Sequence, residues 1–332
     1  MTDTALPAAL ATLLGPAGLI TDPADIAPAL SDWRGLYRGA AMAVLRPAST
    51  EQVAACVTIC AAAGIAIVPQ GGNTSMVGGA TPEGNGRSVV LSLARMNRVR
   101  DLDPVDMTMT AEAGVIVKTA QDAAADAGCL FPLSFGGEGT ATIGGILSTN
   151  AGGNTTVRYG NARELMLGLE VVLPDGQVWN GLRRLRKDNT GYALRHLFVG
   201  AEGTLGIVTA ATLRLFARPR SNEVLFCSVA DEDAALSVFR RFREADETAI
   251  RAFEYMSGLG VDFAVKHIPG VSLPLAERAD HYILVDLAST RADADLQGLA
   301  EQVLGAAMEE GAVLDAVIGG NEAKRQAIWR IR

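Results

Sequence analysis

Histidine, cysteine and aromatic residues are all scarce in this chain. Four cysteines in 332 residues are too few for a disulfide scaffold. Cys56 and Cys60 lie four apart in an apolar, helix-like stretch and so share one face. They fit a metal pair or two buried thiols, and the second reading is preferred because free cysteine is among the most buried residue types. Cys129 and Cys227 are isolated. No basic block is present: 29 basic against 37 acidic residues give a net charge of −8. That excludes the positive face of a nucleic-acid protein. No run reaches the ~20 apolar residues of a membrane span. The most membrane-like run, 54–69, is uncharged but too short, and 139–157, also uncharged, is rich in Gly, Thr and Asn. Met1-Thr2-Asp3-Thr4 lacks the basic start of a signal peptide, so a reducing cytoplasm is expected. Repeats and low-complexity segments are also missing.

Glycine, by contrast, is abundant: 36 of 332 residues, against a usual share of ~7%. The apolar fraction of 49% is enough for a real core, and the length suggests two domains. Residues 1–37 read as a short helical extension, 38–217 as a first domain and 222–332 as a second, with Ala217-Arg218-Pro219-Arg220-Ser221 as the linker. In the first domain Ser49 is a helix N-cap with Gln52 at the capping-box position. A helix to Ala63 follows, then a strand over 65–68 and another over 89–93. A second strand–helix pair covers 107–113 and 115–127. Pro174-Asp175-Gly176 is a hairpin turn. The second domain alternates strands and helices and is α+β, with a ferredoxin-like order expected.

The glycines gather in two clusters. One is Pro69-Gln70-Gly71-Gly72-Asn73-Thr74-Ser75-Met76-Val77-Gly78-Gly79, at the exit of a strand; the other runs from Gly136 to Gly153. Such clusters are either ordinary turns or places where backbone N–H groups approach an anion with no Cβ in the way. Two dense clusters, the first with neutral donors Asn73, Thr74 and Ser75, favour a dinucleotide. The known cradles do not match. Thr142 occupies the third glycine position of G-x-G-x-x-G, no Gly precedes Lys-Ser or Lys-Thr, and there is no G-x-S-x-G or H-E-x-x-H.

Residues 69–79 resemble the pyrophosphate loop of the FAD-linked dehydrogenases of the vanillyl-alcohol-oxidase, or PCMH-type, superfamily. Within it the D-2-hydroxy-acid dehydrogenases are most similar, those acting on D-2-hydroxyglutarate above all. Four further blocks agree in order: Leu93 to Val99, Ile143 to Gly153, Leu185 to Tyr192, and Glu202 to Ile207. The resemblance covers about residues 38–217 and implies an α+β, PCMH-type FAD-binding domain of two subdomains, followed by an incomplete ferredoxin-like substrate domain. It implies that Pro69, Gln70 and Gly71, Gly72, Asn73, Thr74, Ser75 hold the FAD pyrophosphate. Pro132, Leu133, Gly144, Gly145, Thr149, Asn150 and Ala151 would lie along the flavin and ribityl chain. Gly203, Gly206 and Ile207 would offer backbone groups. Covalently flavinylated relatives carry His after the loop glycines; Asn73 stands there, so dissociable FAD is expected.

Hydride would pass from C2 of the hydroxy acid to flavin N5, and the electrons to a separate acceptor. Arg332, in Ile328-Trp329-Arg330-Ile331-Arg332, resembles the Arg that clamps the substrate carboxylate, a task suited to its planar fork. The base for the hydroxyl proton is not identified. His196, His267 and His281 lie outside every block of the family's catalytic motifs, and Lys187-Asp188-Asn189 and Glu202 read as structural or positioning groups. The family's Gly-His-x-Gly-Asp-Gly-Asn-x-His and Glu-His-Gly segments do not occur in this sequence. Turnover by these residues alone is therefore not expected. A D-lactate or glycolate dehydrogenase, or a non-catalytic FAD-binding subunit that needs a partner chain, remains the alternative. An incomplete cap would also leave apolar surface through which a homodimer could form.

Overall fold

A computed structural model describes residues 6–332. The reading of the N-terminus as free of a signal peptide rests on residues outside that range. The chain forms two compact units. One runs to Gly153 and resumes over Gly160–Phe216; the other consists of Asn154–Tyr159 and Ala217–Arg332. The return of Asn154–Tyr159 to the second unit is not signalled by composition.

The first unit holds two main sheets. In the four-stranded sheet, Val44–Leu45, Ser88–Ser92 and Ala66–Gln70 run parallel, and Leu19–Ile20 pairs antiparallel at the edge. The helix Thr50–Ala62 is the crossover that parallel pairing requires. It begins as the sequence dictates. Ser49 Oγ accepts from Gln52 N at 3.3 Å, and Gln52 Oε1 accepts from Ala48 N at 2.8 Å. Ser49→Ala should therefore cost ~1 kcal/mol. An unchanged melting curve would show that Gln52 alone closes the helix end. Cys56 and Cys60 lie on the buried side of this helix. Burial pushes their thiols up to about 12 and about 11, and both side chains pack in the apolar core.

Residues 1–37, expected as an extension, are part of this unit over their described length. Leu10 is fully buried, and Ile26 packs with Val44 and Val90. Gln52 Nε2 donates to Leu13 O at 3.4 Å. The segment has helices at Ala8–Leu14 and Pro23–Ile26, but also a strand in the sheet.

The five-stranded sheet is antiparallel throughout, in the order Val99–Asp103, Thr108–Glu112, Ile207–Arg214, Met166–Val172, Val178–Gly181. Its interior carries two buried carboxylates. Glu112 receives Arg98 at 2.9 Å and Arg100 at 3.3 Å. Glu170 receives Arg100 at 3.2 Å, Thr50 Oγ1 at 2.7 Å and Thr209 Oγ1 at 2.8 Å. Through Thr50 the crossover helix is fastened to this second sheet.

The second unit is a four-stranded antiparallel sheet in the order Ile250–Ser257, His281–Ser289, Ser221–Val229, Val313–Ile318. With helices Glu232–Asp246 and Leu296–Glu309 on one face this is the β-α-β-β-α-β pattern. The ferredoxin-like layer, expected to be incomplete, has all four of its strands. Alternation sorts the two faces. Leu225, Cys227, Ile283 and Val285 pack under those helices. Phe226, Tyr282 and Leu284 pack on the other face with Val261 of Gly258–His267 and Ile328 of Glu322–Trp329.

Candidate functional site

The parallel strand Ala66–Gln70 ends at the first glycine cluster, and from there the chain enters one wall of a cleft of about 280 Å³. That volume is close to the lower limit of small-molecule sites, ~300 Å³. The two clusters, distant in sequence, meet here. A Cβ on Gly71 would lie 2.5 Å from Thr142 Oγ1, and one on Gly72 would lie 2.0 Å from Thr140 O. The glycines thus let two backbone segments touch. This corrects the sequence-based reason for them: the space a Gly72 side chain would take belongs to the neighbouring backbone.

The loop's own donors are free. Among the described residues, the backbone N–H groups of Gly72, Asn73, Thr74 and Ser75 have no acceptor. The loop's own side chains brace it against neighbouring backbone. Gln70 Nε2 donates to Ala29 O at 3.0 Å and to Ala80 O at 2.9 Å. Asn73 Nδ2 donates to Ser31 O at 2.8 Å, so the Asn73 amide is a tether to the N-terminal segment. Asn73 has φ of 52°, a left-handed conformation that Asn tolerates better than most residues.

The second wall comes from the short helix Ile143–Ser148, whose N-cap Thr142 accepts from Gly145 N at 3.3 Å, and from the turn before strand Ile207–Arg214. Gly144 packs its Cα face on Ala113. Gly203, with φ of 77°, abuts Pro69. Every lining side chain is neutral except that of Glu202.

Of the residues singled out from the sequence, Pro69 to Ser75, Gly144, Gly145, Thr149, Ala151, Gly203, Gly206 and Ile207 line this cleft. Pro132, Leu133 and Asn150 do not. Leu133 is buried, and its carbonyl accepts from Gln121 Nε2 at 2.8 Å. Asn150 has φ of 49° just past the helix end, and its Oδ1 accepts from Arg163 N at 3.0 Å. It shapes the wall from behind.

Gly79, Leu93, Ala113, Phe135, Thr142, Ser148 and Val208 also line the cleft and were not foreseen. Gly79, Leu93 and Ser148 stand inside recognised blocks, which was the one signal available for them.

His196, His267 and His281 are not among the lining residues. His196 is held below its ordinary value by burial, then by Arg195 and Arg163, and its Nδ1 is buried without a partner among the described residues. His281 Nδ1 sits 2.7 Å from Tyr255 Oη. In the second unit, Arg332 Nε donates to Glu254 Oε2 at 2.6 Å, with 45% of the Arg332 side chain exposed. Among the described residues no cluster of His, Cys, Asp and Glu is arranged to hold a metal ion, and no helix is long and apolar enough to cross a membrane.

A cleft with free N–H donors, one carboxylate and no cationic side chain fits a cofactor whose phosphates are held by backbone. Comparison with known proteins agrees. The family described as FAD binding domain matches residues 41–181, and that described as FAD linked oxidases, C-terminal domain, matches residues 218–332. D-2-hydroxyglutarate dehydrogenase of Bos taurus, named as mitochondrial, is 37% identical over 320 residues, covering 96% of this chain. The mitochondrial D-2-hydroxyglutarate dehydrogenase of Arabidopsis thaliana is 35% identical over 323 residues, again 96% of this chain. The D-2-hydroxyglutarate dehydrogenase of Xanthomonas citri pv. viticola is 36% identical over 314 residues, 95% of this chain. The chain spans 57% of the length of the first two and 65% of the third.

Two solved structures share the fold. Alkyldihydroxyacetonephosphate synthase has a TM-score of 0.77 at 19% identity, over 100% of this chain and 66% of its own. p-Cresol methylhydroxylase has 0.76 at 20%, over 97% and 67%. The cytoplasmic assignment does not stand, because the cattle and Arabidopsis relatives are named as mitochondrial proteins. With the binding domain and the C-terminal domain both matched, the chain belongs to the FAD-linked oxidases and shares the fold of p-cresol methylhydroxylase.

Proposed function

We infer that this chain is the FAD-binding and cap portion of a D-2-hydroxy-acid dehydrogenase, with D-2-hydroxyglutarate as the substrate favoured by its relatives. The observation that carries this is the row of unpaired N–H groups from Gly72 to Ser75 along a cleft without cationic side chains. These donors suit a pyrophosphate. Gly144, Gly145, Thr149 and Ala151 would run beside the flavin and ribityl chain, and Gly203, Gly206 and Ile207 would present backbone. Pro132, Leu133 and Asn150 would support that wall. FAD, when bound, supplies the hydride acceptor.

Arg332 is the proposed carboxylate clamp. Its fork is half-exposed and uses one nitrogen on Glu254, so it has donors left for a second carboxylate. No histidine lines the cleft to take the hydroxyl proton. Residues 1–332 should accordingly bind FAD and reduce it negligibly, and the electrons of the whole protein would leave to a separate acceptor.

Attachment should be non-covalent, since no His, Cys or Tyr lines the cleft and the Asn73 amide is neither nucleophilic nor free. Acid precipitation should leave the yellow chromophore in the supernatant. Flavin that stays with the precipitated chain would refute dissociable binding, and a chain that never takes up FAD would refute the cofactor reading itself. Fast anaerobic bleaching at 450 nm by D-2-hydroxyglutarate would show that a base exists within these residues.

A further inference from the structure

In the second unit one sheet face carries a carboxylate where alternation calls for an apolar residue. Asp286 follows Tyr282 and Leu284 at the two-residue spacing of strand His281–Ser289, and is only 2% exposed. Arg251 Nη2 donates to its Oδ2 at 2.6 Å, and Trp329 Nε1 donates to the same oxygen at 3.1 Å. Oδ1 is buried without a partner among the described residues. Burial pushes this carboxyl above its ordinary value, although Arg251, Trp329 and Arg158 all pull it down.

As a stabilising ion pair the arrangement is poor. The desolvation of a charge is repaid only when its remaining lone pairs are satisfied, and one oxygen here has nothing. What the carboxylate does provide is an acceptor fixed on a strand and reaching the last helix. Trp329 ends that helix, Glu322–Trp329, and a tight turn follows: Ile331 N donates to Ile328 O at 3.1 Å and Arg332 N to Trp329 O at 3.2 Å. Ile328 and Ile331 are buried against the same sheet face. At the end of the turn Arg332 Nε reaches Glu254 Oε2. Glu254 lies on the neighbouring strand opposite Leu284, and Asp286 stands opposite Ala252. Two nearby acidic residues thus hold the two ends of one turn, Asp286 the Trp329 indole and Glu254 the Arg332 guanidinium.

We propose that Asp286 is a positioning residue for Arg332: through the Trp329 indole it fixes the turn from which the guanidinium projects toward a substrate carboxylate. This rests on the reading of Arg332 as the carboxylate clamp. Asp286 acts at one remove, since its burial keeps it from meeting the acid.

Trp329 is one of three tryptophans, so isotope-labelled tryptophan gives three indole N–H signals, and Trp329→Phe assigns its own by deletion. Adding D-2-hydroxyglutarate should shift the Trp329 signal, and Arg332→Met should abolish the shift. The double variant Arg251→Met, Asp286→Leu replaces a poorly satisfied ionic pair by apolar groups, so its melting temperature should hold. Its affinity for the acid, read from the shift, should nevertheless fall ~10-fold, the worth of a hydrogen bond to a charged group. Trp329→Phe, which keeps an aromatic ring and loses only the donor end, should show a similar fall, read from broadening of the acid's own resonances. Native affinity in either folded variant, whatever its melting temperature, would overturn the proposal and leave the clamp reading intact. No shift with the unmodified chain, or a shift that survives Arg332→Met, would overturn both.

Discussion

Gly72→Val should lower the melting temperature of the FAD-free protein as well as abolish FAD binding. The first Cβ contact would be Thr140 O at 2.0 Å, followed by Thr140 C at 2.7 Å and Ala141 Cα at 2.9 Å. All three are backbone atoms and none can rotate aside. Overpacking a tight site costs ~1–3 kcal/mol and at times more, and a rigid backbone neighbour places this one at ~3 kcal/mol. For a domain of ~200 residues that is a drop of ~6–12 °C. Gly136→Ala and Gly139→Ala are the controls, since an added Cβ meets nothing within 4 Å at either position. Loss of yellow colour with an unchanged FAD-free melting curve would mean that the valine obstructs the cofactor instead. Calorimetry on the stripped protein separates the two mechanisms.

Arg100→Met should be the most damaging single change outside the cleft. Arg100 reaches both buried carboxylates, Glu112 at 3.3 Å and Glu170 at 3.2 Å, and its own side chain is only 29% exposed. Removing one partner from a buried ionic group costs ~3–5 kcal/mol. Arg98 still serves Glu112, and Thr50 and Thr209 still serve Glu170, so ~3 kcal/mol is expected. The pH dependence identifies the cause. Burial pushes both carboxyls up, but Arg98 and Arg100 at Glu112, and Thr50, Arg100 and Thr209 at Glu170, outweigh it and hold both below the ordinary 4.5. A depressed folded value means that the stabilisation is complete above pH 4.5 and is lost as the pH falls through the lower folded values. Denaturation midpoints of wild type and Arg100→Met should therefore converge in acid. A gap that stays constant from neutral pH to well below 4.5 would assign the effect to lost packing by the arginine stem.

How much of this was legible in the sequence follows from the range of the interactions. The helix starting at Ser49, the alternating strands and the order of the second unit depend on near neighbours, and their periodicity and capping residues lie within a few positions of one another. The glycine loop was legible for the same reason, because its signal is local: a strand exit followed by residues without bulky side chains. The donors it exposes belong to the backbone and need no distant partner.

The tertiary structure decided everything that depends on register between distant segments. The buried ladder is one case. Arg100 meets Glu170 because three antiparallel pairings, Asp101 with Thr110, Thr110 with Thr212 and Ala210 with Glu170, bring their strands into one sheet. No short-range pattern specifies that meeting. The same holds for the reason behind Gly72, which is Thr140 and not a ligand, and for the N-terminal segment, which looked like an appendage and instead ties down Gln70 and Asn73 through Ala29 and Ser31. Asn150, which the family resemblance put along the flavin, has its amide oxygen closed onto Arg163 N, a contact that no local pattern specifies. Sequence pattern reports what each segment can do alone, while side-chain contacts are made across a packed interior whose closeness the chain acquires only on folding.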